Sequence, residues 1–142
     1  LEAMAYNVTA YDCVVCAAMD ARCNQVYVAL FRVNGGKVER LTEEECLKTD
    51  EAARMLSEYD DDIMLVGDGA FIMKKATDNE GLENVKIAPD PLRYQTGYGV
   101  CLAAVNAPQL TPEQLMPMYL KLPQAQRELM AKNAEAYKER KE

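Results

Sequence analysis

Two short segments carry residues whose types and spacing could do chemistry. The first is Met19-Asp20-Ala21-Arg22, which closes the apolar run Val14 to Met19. It is followed by Gln25-Val26-Tyr27-Val28-Ala29-Leu30-Phe31. That pattern reads as a hairpin with a carboxylate and a guanidinium at its tip. Asp20 and Arg22 are therefore candidate binding residues. A phosphate cradle needs backbone N–H groups that can be approached closely, hence glycine or a hydroxyl residue in the turn. The turn Ala21-Arg22-Cys23-Asn24 has neither, so the weight falls on a local ion pair or an interface contact. The second segment is Val66-Gly67-Asp68-Gly69. Glycine turns at the carboxyl end of a strand lie where ligands bind in α/β sheets. Gly67 and Gly69 are therefore candidate binding residues, although such a tripeptide also serves as a plain strand–helix turn.

Other chemistry is poorly supported. The chain has no histidine, which removes the commonest general base and metal ligand and with it any Ser/His or Cys/His nucleophile pair. Cys13-Val14-Val15-Cys16 has CxxC spacing. It opens a strand, whereas a redox pair sits at a helix N-terminus, and a zinc site would need a second pair. We read these cysteines as small buried hydrophobes. The runs Glu43-Glu44-Glu45 and Asp60-Asp61-Asp62 read as solvated faces, because neighbouring carboxylates on a strand point to opposite sides. No catalytic residue, metal ligand set or cofactor is assigned.

The elements that would position the two segments follow from the pattern of the remaining residues. At 142 residues one domain is the default. No apolar run approaches the length of a membrane span, so no membrane contact is expected. Five scattered cysteines without a secretion signal point to a reducing, cytoplasmic setting. The net charge of −7 argues against a sequence-independent grip on nucleic acid. That charge is uneven: residues 121–142 hold six Lys/Arg against four Glu. Such a basic helix suits RNA phosphates, a partner helix or plain solvent exposure.

Leu1 to Tyr6 is a strong helix former without a start signal, which suggests a helix that begins before the chain does. Strands are expected at Val14–Asp20 and Gln25–Val33, with Asn34-Gly35-Gly36 as a tight turn. A third strand follows from Lys37 to about Leu47. A competing capping box at Thr42 and Glu45 would end it sooner. Asp50–Tyr59 reads as a helix, Ile63–Gly67 as a strand buried on both faces and Ala70–Ala76 as a helix. Val85–Ile87 reads as a strand and Arg93–Asn106 as a helix. Gly97 and Gly99 in that last helix imply close packing or a poorly formed first half. Thr111-Pro112-Glu113 opens a short turn, and residues 123–142 read as a C-terminal helix. The expected fold is α/β: a mixed five-stranded sheet with three antiparallel strands, flanked by helices. This is the order of a ribonuclease-H-like half, the unit duplicated in the actin-like ATPase superfamily.

Three segments together resemble the TsaB family. Leu1-Glu2-Ala3-Met4-Ala5-Tyr6-Asn7 looks like the joint leaving its first domain. Met19-Asp20-Ala21-Arg22 with Gln25-Val26-Tyr27 looks like the hairpin opening its second. Met116-Pro117-Met118-Tyr119-Leu120-Lys121 and Pro123-Gln124-Ala125-Gln126-Arg127-Glu128 look like its C-terminal signature, with Lys121 where arginine is usual. Val66-Gly67-Asp68-Gly69 falls where the family has a glycine turn. The resemblance implies a second domain at residues 8–122, preceded by the end of a helix (1–7) from a first domain and followed by the C-terminal helix. It also implies a non-catalytic subunit of the cytoplasmic machinery that makes threonylcarbamoyladenosine in tRNA. The older glycoprotease naming would be a misassignment. Its partners would be TsaD-like and TsaE-like proteins, reached through the full-length parent, or a second copy of itself, with tRNA met only indirectly. The alternative is the nucleotide-binding half of an actin-like ATPase or small-molecule kinase, using Asp20, Gly67 and Gly69.

Overall fold

The central hairpin follows from side-chain shape. Both of its strands are rich in Val, Ala and aromatic residues, which suit a pleated surface. In the computed structural model, which describes residues 1–105, 107–121 and 126, they form β1 (Cys13–Arg22) and β2 (Gln25–Asn34). The register runs from Cys13 opposite Val33 to Arg22 opposite Gln25. β3 (Lys37–Arg40) and β4 (Glu45–Lys48) both pair antiparallel with β2. On the other side of β1 lie β5 (Ile63–Val66) and β6 (Val85–Ile87), both parallel. The sheet order is β3-β2-β1-β5-β6, with β4 beside β3 along the same edge of β2.

The sheet therefore has six strands, not the five expected, because the third strand breaks. Phe31 faces Arg40 and Val28 faces Glu45, so four residues, 41–44, span what two residues span on β2. The detour is stitched down at one point. The amides of Leu41 and Thr42 both donate to the Leu30 carbonyl, and the Leu30 amide donates to Thr42 Oγ1 at 2.9 Å. Thr42 thus completes the sheet ladder and does not cap a helix. The helix instead starts at Thr49, as α2 (Thr49–Leu56), where Glu51 Oε2 accepts from the Lys48 amide.

Alternation puts apolar residues on both faces of β1 and β2, so each face needs a cover. On one face Val14, Cys16, Ala18, Val26, Val28 and Leu30 pack beneath α2 and α3 (Ala70–Asn79) through Leu56, Ala70 and Met73. On the other, Val15, Ala17, Ala29, Phe31 and Val33 meet α1 (Glu2–Ala5) and the 3₁₀ turn Tyr6–Val8. Of the expected helix Arg93–Asn106 the structure forms α5 (Gly97–Val105), while Arg93 ends a separate short helix, α4 (Asp90–Arg93), and Asn106 lies outside the described residues. Asn7 forces the break. Its amide donates to the carbonyls of Leu92 and Tyr94, while its Oδ1 accepts from Thr96 Oγ1 at 2.7 Å. Thr96 Oγ1 in turn accepts from the Gly99 amide. Of the two glycines flagged in the sequence, Gly99 is the one pressed against a neighbour: a Cβ there would lie 2.1 Å from the Ala3 carbonyl oxygen, whereas Gly97 faces open space. The expected helix at 123–142 lies outside the described residues.

The same alternation disposes of the CxxC pair. A spacing of three on a strand sends the two thiols to opposite faces: Cys13 packs with the Phe31 cluster and Cys16 with the Leu30 cluster. They cannot form a disulfide or share a metal ion. Burial pushes the Cys16 thiol up to about 12, and burial with the nearby Asp62 and Asp12 pushes Cys13 up to about 11. The unfolded chain ionises these thiols first, so the folded state holds more protons and stability falls as pH rises through the interval from about 9 to 12. The expected loss is at most about 1.4 kcal/mol per pH unit per thiol, read from urea midpoints between pH 8 and 11. At neutral pH a maleimide should label Cys23 and Cys101, which are exposed, and leave Cys13 and Cys16 untouched until the protein unfolds.

Candidate functional site

Parallel pairing of β1 with β5 carries the hairpin tip and the glycine turn to the same end of the sheet. The structure thus brings together the two segments singled out in the sequence. The contact between them is direct: the Asp20 amide donates to Asp68 Oδ1 at 3.2 Å. This is the carboxyl end of the parallel strands, where ligands bind in open α/β sheets.

What the two segments offer a ligand is limited by what they offer each other. The Gly69 amide donates to the Ala18 carbonyl at 3.0 Å, and the Gly67 amide to the Arg93 carbonyl at 2.7 Å. The Arg22 amide donates to Asp20 Oδ1 at 2.7 Å. The amides of Gly67, Gly69, Asp20 and Arg22, the residues singled out for a ligand, are thus committed inside the fold. The glycines are needed for approach of the chain to itself. A Cβ on Gly67 would lie 2.0 Å from the Ala18 carbonyl oxygen, at a φ of +97°. On Gly69 it would meet the Ala18 and Met19 backbone at 3.0–3.1 Å. Both glycines let the turn lie flat on β1.

Asp20 and Arg22 form an ion pair at 3.1 Å, with the arginine side chain 86% exposed. Such a pair contributes under about 1 kcal/mol. The tip itself is strained. Arg22, Cys23 and Asn24 have φ of 63°, 55° and 58°, three successive non-glycine residues in the left-handed region. Asn tolerates that region; Cys does not. Cys23→Gly is accordingly expected to stabilise the fold by about 0.5–1 kcal/mol, seen as a higher urea midpoint with unchanged slope. Among the described residues, no group of three or more acidic or cysteine side chains is placed to hold a metal ion.

Two participants escaped the sequence reading. Ala21 has no ladder partner, because the register shifts between Asp20 and Arg22. Its carbonyl is therefore available and accepts from Lys121 Nζ at 2.8 Å. That bond moors the segment Met118–Lys121 beside the hairpin, where it lines a cavity of about 360 Å³ with Met19 and Tyr27. The second is Arg93, buried to 7% exposure. It is ion-paired with Asp90 and donates to the Ala88 carbonyl. Its guanidinium lies 4.6 Å from the Phe71 ring centroid and 5.6 Å from that of Tyr94. An Arg two residues after Pro91 gives no warning of this role in sequence; only the fold brings Phe71 over it.

No known family model matches this chain, and no curated protein matches it. Among solved structures, a Pseudomonas aeruginosa protein described as uncharacterized with similarity to peptidase YeaZ superimposes with a TM-score of 0.56. The identity is 19%, over 84% of this chain and 54% of that one. At that identity the likeness is one of fold: α/β, with a mixed sheet flanked by helices, of the ribonuclease-H-like and actin-like kind. The chain spans about half the length of that structure. Among the described residues no helix is long and apolar enough to cross a membrane.

Proposed function

We propose that this chain is a non-catalytic, partner-binding domain of a TsaB-like protein, serving threonylcarbamoyladenosine modification of tRNA together with TsaD-like and TsaE-like proteins in the cytoplasm. YeaZ is TsaB under another name, so the structural likeness and the resemblance of the hairpin, glycine turn and Met116–Lys121 segment point to the same family. The observation that carries the reading is the state of the ligand end of the sheet. The position where an actin-like relative grips phosphate is filled by the protein's own hydrogen bonds from Gly67, Gly69 and Arg22. Without histidine, the chain has no general base of the usual kind near that end.

The test is complex formation. The full-length parent protein, purified with the TsaD-like and TsaE-like proteins of the same organism, should elute with the TsaD-like protein in one peak. Elution of the two as separate peaks at concentrations well above micromolar would overturn the proposal.

A further inference from the structure

An aspartate or asparagine followed by glycine can cyclise, because no side chain hinders attack by the glycine nitrogen. The chain has two such pairs, Asn34-Gly35 and Asp68-Gly69. They sit in opposite circumstances. Asp68-Gly69 is locked: Gly69 is buried on β1 with its amide on the Ala18 carbonyl, and Asp68 Oδ1 accepts from the Asp20 amide. Asn34-Gly35 lies at the exposed β2–β3 turn, where Gly35 and Gly36 have φ of 55° and 77°. Nothing lies within 4 Å of the Cβ position at Gly35. Asn34 pairs with Lys37 across the turn, and the Gly35 amide donates to Asp12 Oδ1 at 2.8 Å.

We propose that Asn34 is a site of spontaneous covalent modification to aspartyl and isoaspartyl forms, and that Asp12 sets its rate. The Gly35 nitrogen loses its proton and attacks Asn34 Cγ. The N–Cγ bond forms, the Cγ–Nδ2 bond breaks and ammonia leaves. Solvent water then opens the cyclic imide at either carbonyl, so that the chain continues through Cα or through Cβ. No oxidant or reductant is needed. Asp12 opposes the first step twice over. A carboxylate acceptor strengthens the hold on the amide proton, and the bond restrains the nitrogen from moving to Cγ. The product matters locally. It places a new carboxylate at the turn, close to Asp12, and the isoaspartyl form adds a backbone carbon at the residue that pairs with Lys37. Both changes loosen the β2–β3 pairing.

The test incubates the full chain at pH 8 and 37 °C and maps its peptides by mass spectrometry. Asn34 should gain the mass of amide replaced by hydroxyl several-fold faster than Asn7, Asn24, Asn79 or Asn84. Asp12→Ala should raise the Asn34 rate several-fold further, and Gly35→Ala should lower it. Circular dichroism identifies any variant that unfolds; amide-exchange protection at Gly35 then replaces it, with protection in the unaltered chain expected to be clear of the turn average. Conversion of Asn34 no faster than Asn24, an Asp12→Ala rate no higher than that of the unaltered chain, or an unprotected Gly35 amide would overturn the proposal.

Discussion

Gly67→Ala is expected to cost about 3–5 kcal/mol, the sum of left-handed strain and an overlap with backbone that cannot step aside. The added methyl would lie 2.0 Å from the Ala18 carbonyl oxygen and 3.3 Å from Met4 Cε. Only the methionine is flexible. The Ala18 carbonyl belongs to the central strand and already accepts from the Gly69 amide. Relief would have to come from moving the start of α3 off the sheet. A loss of this size is a large part of the stability of an ordinary domain. Urea denaturation should show it as a fall in midpoint, and Gly81→Ala serves as the control, since Gly81 faces open space at a comparable φ of 76°. The outcome separates two roles for this turn. If Gly67 is there for packing, the substitution is felt in stability without any ligand. A change under about 1 kcal/mol would say that the contact with β1 is not what the residue is for.

Phe31→Ala should be as severe, at about 3–5 kcal/mol. Phe31 is fully buried on β2 between Ala29 and Val33, facing α1 and the 3₁₀ turn. It also holds a charged cluster in place. The Arg40 guanidinium lies 4.9 Å from its ring centroid and reaches Glu2 and Glu44 at 2.7 Å each. Those two bonds tie α1 and the 41–44 detour to the sheet. Removing the ring opens a cavity and leaves Arg40 without its platform. Phe31→Leu, which keeps most of the apolar volume, should recover the greater part of the loss. Equal destabilisation by the two substitutions would mean that the ring's contact with Arg40, and not its volume, sets the cost.

The elements legible in the sequence were those decided locally. Val85–Ile87 and the β1–β2 hairpin could be read because alternating apolar residues and turn signals leave few alternatives. The break at 41–44 could not, because it depends on Thr42 meeting Leu30, a residue twelve positions away. The late start of the helix, at Gly97 and not Arg93, could not either, since Asn7 holds Leu92, Tyr94 and Thr96 from a distant part of the chain. The candidate site divides the same way. Asp20, Arg22, Gly67 and Gly69 were identifiable as types suited to a ligand end. Whether their amides remained available was decided by Ala18, Arg93 and Asp68, which only the fold brings near. Lys121 was visible as part of a signature, but its bond to Ala21 depends on a bulge that the sequence does not announce.

The most direct test of the account asks whether this ligand end still takes a nucleotide. Calorimetric titration of the chain with ATP and Mg²⁺ should give only heats of dilution, and Asp20→Ala should leave the trace unchanged. Micromolar binding that Asp20→Ala abolishes would contradict the account and restore the hairpin tip and glycine turn as a working nucleotide site.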